Sequence, residues 1–339
     1  MSAAGELVSI LIPAYNAASF LGATIRSALN QSWRPIEIIV VDDGSVDDTL
    51  SVARAFENSF VKVVTQPNAG APAARNKALE LAQGRYIQWL DADDLLHPYK
   101  IEAQMKVAHQ LAHRRFALAG GFGTFYHRPS RAAFVPTALW RDLAPVDYFL
   151  TRFNHNVYFQ TDVWLVSREL TDAAGPWTDF DSPDDDGEYF CRVVMNSEGV
   201  KFVGDARSYY RIANFNGVSR ARSYKAQTAL YGSKAKCIEY LLSLENSSRT
   251  RAACVQLLQD WLPDFYPDRV DLIQRARELA RTLDGELYEP AVRWKYRPVQ
   301  WVFGYRAAAR VSGILPQLRA RGVRAWEWAM LKTTESAQT

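Results

Sequence analysis

Asp91-Ala92-Asp93 directly follows the strand-like run Tyr86-Ile87-Gln88-Trp89-Leu90, so two carboxylates leave a strand end with one small residue between them. Hard oxygen ligands of this kind suit Mg2+ or Mn2+, ions that keep part of their water shell and share the rest of their coordination with diphosphate oxygens. Such an ion neutralises the charge that grows on a departing diphosphate. A second reading makes these acids caps of the following helix, accepting backbone N–H groups, and it suits Asp94 best. A bare Asp-x-Asp does not choose between the two readings.

Its neighbours add to the first. Val40-Val41-Asp42-Asp43-Gly44-Ser45 is another strand-then-acid turn, followed by Asn68, Gly70 and the pair Arg75-Asn76. A nucleoside base needs donors and acceptors on its edge, a ribose needs a carboxylate and a diphosphate needs a cation, and each is available here. Transfer to a hydroxyl also needs a base within hydrogen-bond reach of it. The run Asp184-Asp185-Asp186, ahead of an amphipathic stretch carrying Arg192, offers one. Adjacent acids repel, which raises the pKa of one that is partly buried; the alternative use of the run is again a helix cap.

Short β-branched runs at Val8–Ile12, Ile36–Val41, Val61–Val64 and Tyr86–Leu90 read as buried strands. Between them lie helical patterns, with Leu21, Ile25, Ala28 and Leu29 on one face and Ala73–Ala82 closed by Gly84. Alternation of this kind predicts an α/β fold with a mostly parallel, Rossmann-like central sheet flanked by helices, its ligand crevice at the carboxyl ends of the strands. Tyr15-Asn16, Asp42-Asp43 and Asp91–Asp94 all leave on that edge. After Phe116 the strands shorten, and from about residue 223 the pattern is mostly helical. The expected regions are 1–115, 116–222 and a helical 223–339.

The blocks PAYNAASFL, VVDDGSVDDT, NAGAPAARN and QWLDADD, in this order and spacing, resemble glycosyltransferase family 2, the inverting enzymes of the GT-A fold. The resemblance covers roughly the first 220 residues. It implies that Pro13, Ala14, Tyr15 and Asn16 line a nucleotide pocket, with Asp43 on the base edge, Asn68 and Arg75 nearby, and Asp42 bracing the turn. It places Asp91 and Ala92 against the donor, Asp91 toward the ribose, and Asp93 on the metal, Mn2+ or Mg2+. In the family an acidic pair precedes a helix with an Arg six residues on; Asp185-Asp186 with Arg192 match, which makes Asp186 the expected base and Asp185 its alternate in register. The family pair is Glu-Asp, and here both members are Asp. Arg211, in the segment SYYRIANFNGVSR, is the expected diphosphate contact, with Asn214, Asn216 and Gly217 as a lid. The implied donor is a nucleoside-diphosphate sugar, UDP first, and the acceptor a hydroxyl, carbohydrate or, if the basic tail described next meets a membrane, lipid-linked.

Two rivals are a sugar-phosphate nucleotidyltransferase, disfavoured because PAYNAASF stands where a Gly-rich phosphate loop would be, and a non-catalytic membrane-associated scaffold. His109 and His113 read as exposed residues of one helix, and His155-Asn156 as a buried polar pair. Between Ala291 and Lys332 lie nine basic residues (Arg293, Lys295, Arg297, Arg306, Arg310, Arg319, Arg321, Arg324 and Lys332) and one acid, Glu327, interleaved with Trp294, Trp301, Trp326 and Trp328. That mixture fits an anionic membrane interface; packing onto the catalytic domain or an oligomer partner is the other use. The net charge of +3 and the absence of a recognised module argue against nucleic acid. Cys191, Cys237 and Cys254, without CxxC spacing, fit a reducing compartment. No basic n-region precedes the short run at Val8 and no stretch approaches eighteen apolar residues, so the expected location is cytoplasmic, or peripheral on the cytoplasmic membrane face.

Overall fold

Apolar periodicity becomes architecture in the computed structural model, which describes residues 5–111, 113, 115–178, 182–212, 223–292, 294–312 and 322. The chain opens with β1 (Val8–Ala14), α1 (Ala18–Leu29), β2 (Ile36–Asp42), α2 (Thr49–Arg54), β3 (Val61–Thr65), α3 (Ala71–Leu81) and β4 (Tyr86–Trp89). There follow β5 (Leu95–Leu96), α4 (Lys100–Gln110), β6 (Phe116–Phe125), β7 (Ala133–Phe134), α5 (Pro145–His155), β8 (Trp164–Ser167) and α6 (Arg168–Ala174). The acid run opens α7 (Asp185–Met195), then come β9 (Gly199–Arg211), α8 (Tyr224–Leu244), α9 (Ser248–Trp261) and α10 (Val270–Thr282).

The described strands form one sheet in the order β3-β2-β1-β4-β8-β6-β9-β5, with β7 beside β6. The first four run parallel. β8 is antiparallel to β4 and β6, and β5 is antiparallel to β9. Ala14 stands opposite Asp42 and Leu11 opposite Trp89, so the turns that begin at Tyr15, Asp43 and Leu90 leave on one edge. Val8, Ile10, Leu11 and Ile12 are all buried, as expected of a parallel strand covered on both faces. In α1, Leu21, Thr24, Ile25 and Ala28 face inward at helical spacing.

Thr24 does more than fill space. Its hydroxyl donates to the carbonyls of Ala92 and Asp94, each at 2.9 Å, and so ties the turn after β4 to α1. An aromatic block holds the other side. Trp177 and Tyr189 stack with ring centres 4.0 Å apart and planes 6° off parallel, and Trp89 meets both edge-on. Trp89 ends β4 and Tyr189 lies one turn into α7, so the block sets the distance between the Asp91 turn and the acid run.

The chain divides into two compact units. Described residues within 1–124 and 133–246 form the first; those within 125–132 and 247–339 form the second. In the second, Ala253, Cys254, Leu257 and Leu258 of α9 and Leu272, Ile273, Ala276 and Ala280 of α10 are buried. Ser247 and Thr250 form a reciprocal cap at the start of α9. Residues 297–312 are helical. Among the described residues no helix is long and apolar enough to cross a membrane.

The close approach of β6 and β9 depends on Gly120, where an added Cβ would fall against the carbonyl oxygen of Ala206 in β9. Gly120→Val is expected to lower stability by about 1–3 kcal/mol through overpacking, read as a reduced urea midpoint; an unchanged midpoint would show that the two strands can separate at no cost.

Candidate active site

At the edge where β1 and β2 end, the backbone is folded by side chains. Asn16 adopts a left-handed conformation (φ 48°), which Asn tolerates better than most residues. Its N–H donates to Ser45 Oγ at 3.0 Å, and its Oδ1 accepts from Val46 N at 3.0 Å. Asp43 accepts from Gln66 Nε2 (2.7 Å), Ala69 N (3.0 Å) and Gly70 N (2.8 Å), pinning loop 66–70 to the end of β2. Gly44, at φ 69°, is required there because a Cβ would stand 2.7 Å from Asn68 N. Asp42 accepts from Thr65 Oγ1 at 3.0 Å. Both carboxylates therefore brace turns. Pro13 and Ala14 end β1, with the Ala14 carbonyl accepting from Asp43 N at 2.8 Å. Tyr15 and Asn68 are exposed on this rim.

Arg75 of α3 joins this edge to the acid run. Its Nη1 donates to Asp185 Oδ2 at 2.6 Å and its Nη2 to Asp91 Oδ1 at 3.0 Å. The guanidinium lies 4.3 Å from the centre of the Trp177 ring, a cation–π contact in a water-poor setting. Burial works against the charge, but Asp185 and Asp91 outweigh it and hold the guanidinium more firmly protonated than usual. Asp185 also accepts from Asp186 N at 2.7 Å, and Asp186 accepts from Gly187 N at 2.8 Å. Burial and the Asp184, Asp185 and Asp91 carboxylates push Asp186 up to about 7, with Arg75 opposing.

Behind the pair, Asp184 makes ion pairs with Lys234 of α8 and, at 3.6 Å, with Arg152 of α5. Arg152 Nη1 also donates to the Gly187 carbonyl at 2.7 Å. A Cβ on Gly187 would collide with Arg152 and with the Asp184 carboxylate, so a side chain on the residue after Asp186 would have to displace that ion pair.

The Asp93–Asp94 end of the turn is held by β9. Arg211 N donates to Asp94 Oδ1 at 2.7 Å, its Nε donates to the Asp93 carbonyl at 2.7 Å, and its guanidinium lies 5.0 Å from the Phe20 ring centre. Burial lowers the pKa of Arg211, partly offset by Asp94 and Asp93. Asp94 is buried, and its pKa is well above normal through burial and the charges of Asp162, Asp93 and Asp91. Asp162 and Lys100 are both fully buried here. Burial pushes Asp162 up to about 7 and Lys100 down to about 7, each opposed by the other's charge.

Two tyrosines complete the surface. Burial around its hydroxyl, then Asp94, Tyr158, Asp93 and Asp91, raise the pKa of Tyr210. Burial, then Asp186 and Asp184, raise that of Tyr158. Tyr210 thus lies within electrostatic reach of the Asp91–Asp94 turn and Tyr158 within reach of both Tyr210 and Asp186. Tyr158, Lys100, Asp162 and Trp177 do not stand out in the sequence, because none belongs to a spaced motif, and Tyr210, though inside SYYRIANFNGVSR, is overshadowed there by Arg211. The signal available was indirect: two hydroxyl-bearing aromatics in segments already flanking candidate residues.

Several expectations need correction. Asp94 caps no helix: Leu95–Leu96 is a strand paired with β9, and α4 starts only at Lys100. His109 and His113 do not share a helix, since α4 ends at Gln110; they pair separately with Glu6 at 3.6 Å and Glu198 at 2.9 Å. His155 and Asn156 are exposed, not buried, and Asn156 ends α5 in a left-handed conformation. Arg192, the spacing marker after Asp186, pairs with Glu188 at 2.6 Å and donates to the Ala174 carbonyl at 2.6 Å. Asn214, Asn216 and Gly217 lie outside the described residues.

Residues 9–172 match the family model described as glycosyl transferase family 2. Residues 9–172 are thus a glycosyl transferase family 2 region. A putative teichuronic acid biosynthesis glycosyltransferase, TuaG, of Bacillus subtilis is 43% identical over 103 residues, which are 30% of this chain and 41% of the relative. Chondroitin synthase of Pasteurella multocida is 42% identical over 102 residues, 30% of this chain and 11% of that one. The matched stretches span between 10% and 41% of the curated relatives' own lengths. Among solved structures, S. aureus TarS 1-349 in complex with UDP-GlcNAc superposes with a TM-score of 0.67 at 16% identity, over 82% of each chain. That likeness establishes the GT-A fold of this chain. The family match ends before α7, so Asp185 and Asp186 lie beyond it.

Replacing Arg75 by Met leaves Asp185 and Asp91 facing each other without a cation. Removing one partner from a buried ion pair costs about 3–5 kcal/mol, so Arg75→Met is expected to unfold at markedly lower denaturant, and Arg75→Lys, which cannot fork, to recover only part of the loss. Equal midpoints for wild type and Arg75→Met in equilibrium urea melts would refute the bridge.

Proposed function

We propose that this chain is an inverting, metal-dependent glycosyltransferase of the hexosyltransferase type. It moves a sugar from a nucleoside diphosphate, UDP first, to a hydroxyl of a carbohydrate or lipid-linked acceptor. The observation that carries the reading is the Arg75 bridge: one buried guanidinium ties the Asp91 turn to Asp185, with Asp186 next in line. The family match supports transfer chemistry, the UDP-GlcNAc bound to the TarS structure supports the donor, and the names of TuaG and chondroitin synthase support a polysaccharide or its precursor as acceptor.

In this reading Tyr15, Asn68 and the braced turns at Asn16 and Asp43 form the nucleoside rim, and Asp91 faces the ribose. Asp93 is the residue that would hold Mn2+ or Mg2+, whose part when bound is to neutralise the departing diphosphate. Asp93 offers the hard carboxylate oxygen that such an ion takes while it shares the rest of its coordination with water and diphosphate; among the described residues no group of three or more His, Cys, Asp or Glu is arranged to enclose one. Asp186 takes the proton of the acceptor hydroxyl. The acceptor oxygen then bonds to the anomeric carbon as the carbon–oxygen bond to the diphosphate breaks, its electron pair staying with the diphosphate. A single displacement inverts the centre.

Asp186→Asn is expected to lower kcat by about 10²–10⁴-fold with donor affinity retained, and Asp93→Ala to abolish Mn2+-stimulated donor hydrolysis. Because Asp186 titrates near 7 and acts as a carboxylate, kcat/KM is expected to fall as pH drops through about 7 and to level off above it. A pH profile flat from 5 to 9 (about two units either side of that value), or full transfer by Asp186→Asn, would remove the residue from the base role.

The partner surface is the basic, Trp-bearing tail. Trp294, Trp301, Val302 and Phe303 are exposed, beside Lys295, Arg297 and Arg310; Arg306 pairs with Asp268. Arg293, Arg319, Arg321, Arg324, Lys332, Trp326 and Trp328 lie outside the described residues. Exposed aromatics among cations suit shallow insertion at an anionic bilayer, which would make the protein peripheral on the cytoplasmic membrane face. Flotation with phosphatidylglycerol vesicles is expected to recover the wild type and to lose Trp301→Ser/Phe303→Ser; equal flotation, or wild-type flotation with neutral lipid, would point to another use of this face.

A further inference from the structure

The second unit carries a cleft of about 410 Å³ between one face of α9 and the segment that follows α10. Ala252 and Val255 of α9, with Leu283, give it an apolar floor. Its wall is built with care. Asp284 turns the chain in the left-handed region (φ 60°), and Gly285 passes so close to Val255 that a Cβ would lie 2.5 Å from the Val255 side chain. The Gln259 side-chain amide then clamps Tyr288, donating to its carbonyl at 3.0 Å and accepting from its N–H at 2.8 Å. This clamp fixes the backbone while leaving Tyr288 71% exposed at the cleft.

The rim is planar and polar. Arg251 Nη1 pairs with Asp284 Oδ2 at 2.7 Å, and Gln256 Nε2 with Asp260 Oδ1 at 2.8 Å. Glu286 completes the lining. A pyranose has an apolar C–H face and a periphery of paired hydroxyls. An exposed tyrosine face satisfies the first, and amide, carboxylate and guanidinium groups, each able to make two parallel hydrogen bonds, satisfy the second. The volume sits at the small end of ligand clefts, suited to a short stretch of glycan. Asp284 and Glu286 outnumber Arg251 in the lining, which disfavours an anionic polymer.

We propose that this cleft is a saccharide-binding site for an uncharged glycan. Its link to the acceptor polymer rests on the transferase reading above; the binding itself does not. The full chain is examined without donor by saturation-transfer NMR against a fixed panel of neutral tetrasaccharides, namely chito-, cello-, malto- and mannotetraose, with oligogalacturonate as the anionic counterpart. At least one neutral tetrasaccharide is expected to bind, with affinity lowered roughly tenfold or more in Tyr288→Ala and in Gln256→Leu, a loss of about 1.4 kcal/mol. Both residues are exposed, so melting curves should match the wild type. Donor hydrolysis, measured on the same preparations, should be unchanged in both variants, and its own loss or absence speaks only to the transferase reading. No binding across the neutral panel, binding of the anionic oligosaccharide alone, or wild-type affinity in Tyr288→Ala would overturn the proposal.

Discussion

One cation held between two carboxylates from distant parts of the chain is the constraint on which the site depends. Asp91 and Asp185 reach Arg75 from 16 and 110 residues away, respectively. Neither turn could approach the other without it, since bringing carboxylates together in a partly dry cleft costs several kcal/mol per uncompensated charge. The stack of Arg75 on Trp177 adds a directional requirement. Trp177 in turn is fixed by Tyr189 and Trp89. Aromatic packing thus sets the geometry that the ionic bridge fills, and the bridge relieves repulsion the packing would otherwise create.

The arrangement leaves the neighbouring acids in different electrostatic circumstances. Asp185 is satisfied by Arg75, whereas Asp186 is surrounded mainly by negative charge and titrates near 7. Asp184 faces the other way, toward Lys234 and Arg152. Three consecutive identical residues therefore hold three distinct environments, separated by the rotation of a first helical turn. A second level lies inside the protein, where Lys100 and Asp162 are both fully buried within reach of each other's charge, and Asp162 within reach of Asp94.

Much of this framework was legible in the sequence because it is local. The four parallel strands and the helices between them follow β-branched runs and helical spacing, and the strand-end acids necessarily share an edge once the strands are parallel. What escaped depends on long-range antiparallel pairing. Asp94 reads as a cap until β9 returns 117 residues later to donate from Arg211. Tyr158 and Tyr210 acquire meaning only from the folding of β9 and the end of α5 toward the same acids. Loop 66–70 is another such feature: it offers Asp43, which the resemblance puts on the base edge, two backbone N–H groups that need an acceptor.

Gly187 has a consequence for how such an enzyme can diversify. With the space above its Cα taken by Arg152 and Asp184, the start of α7 is closed to substitution from behind, and its position is shared among α5, α7 and α8. Variation is easier to accommodate in the exposed segment around Tyr158, where side chains can change without unbuttoning three helices at once.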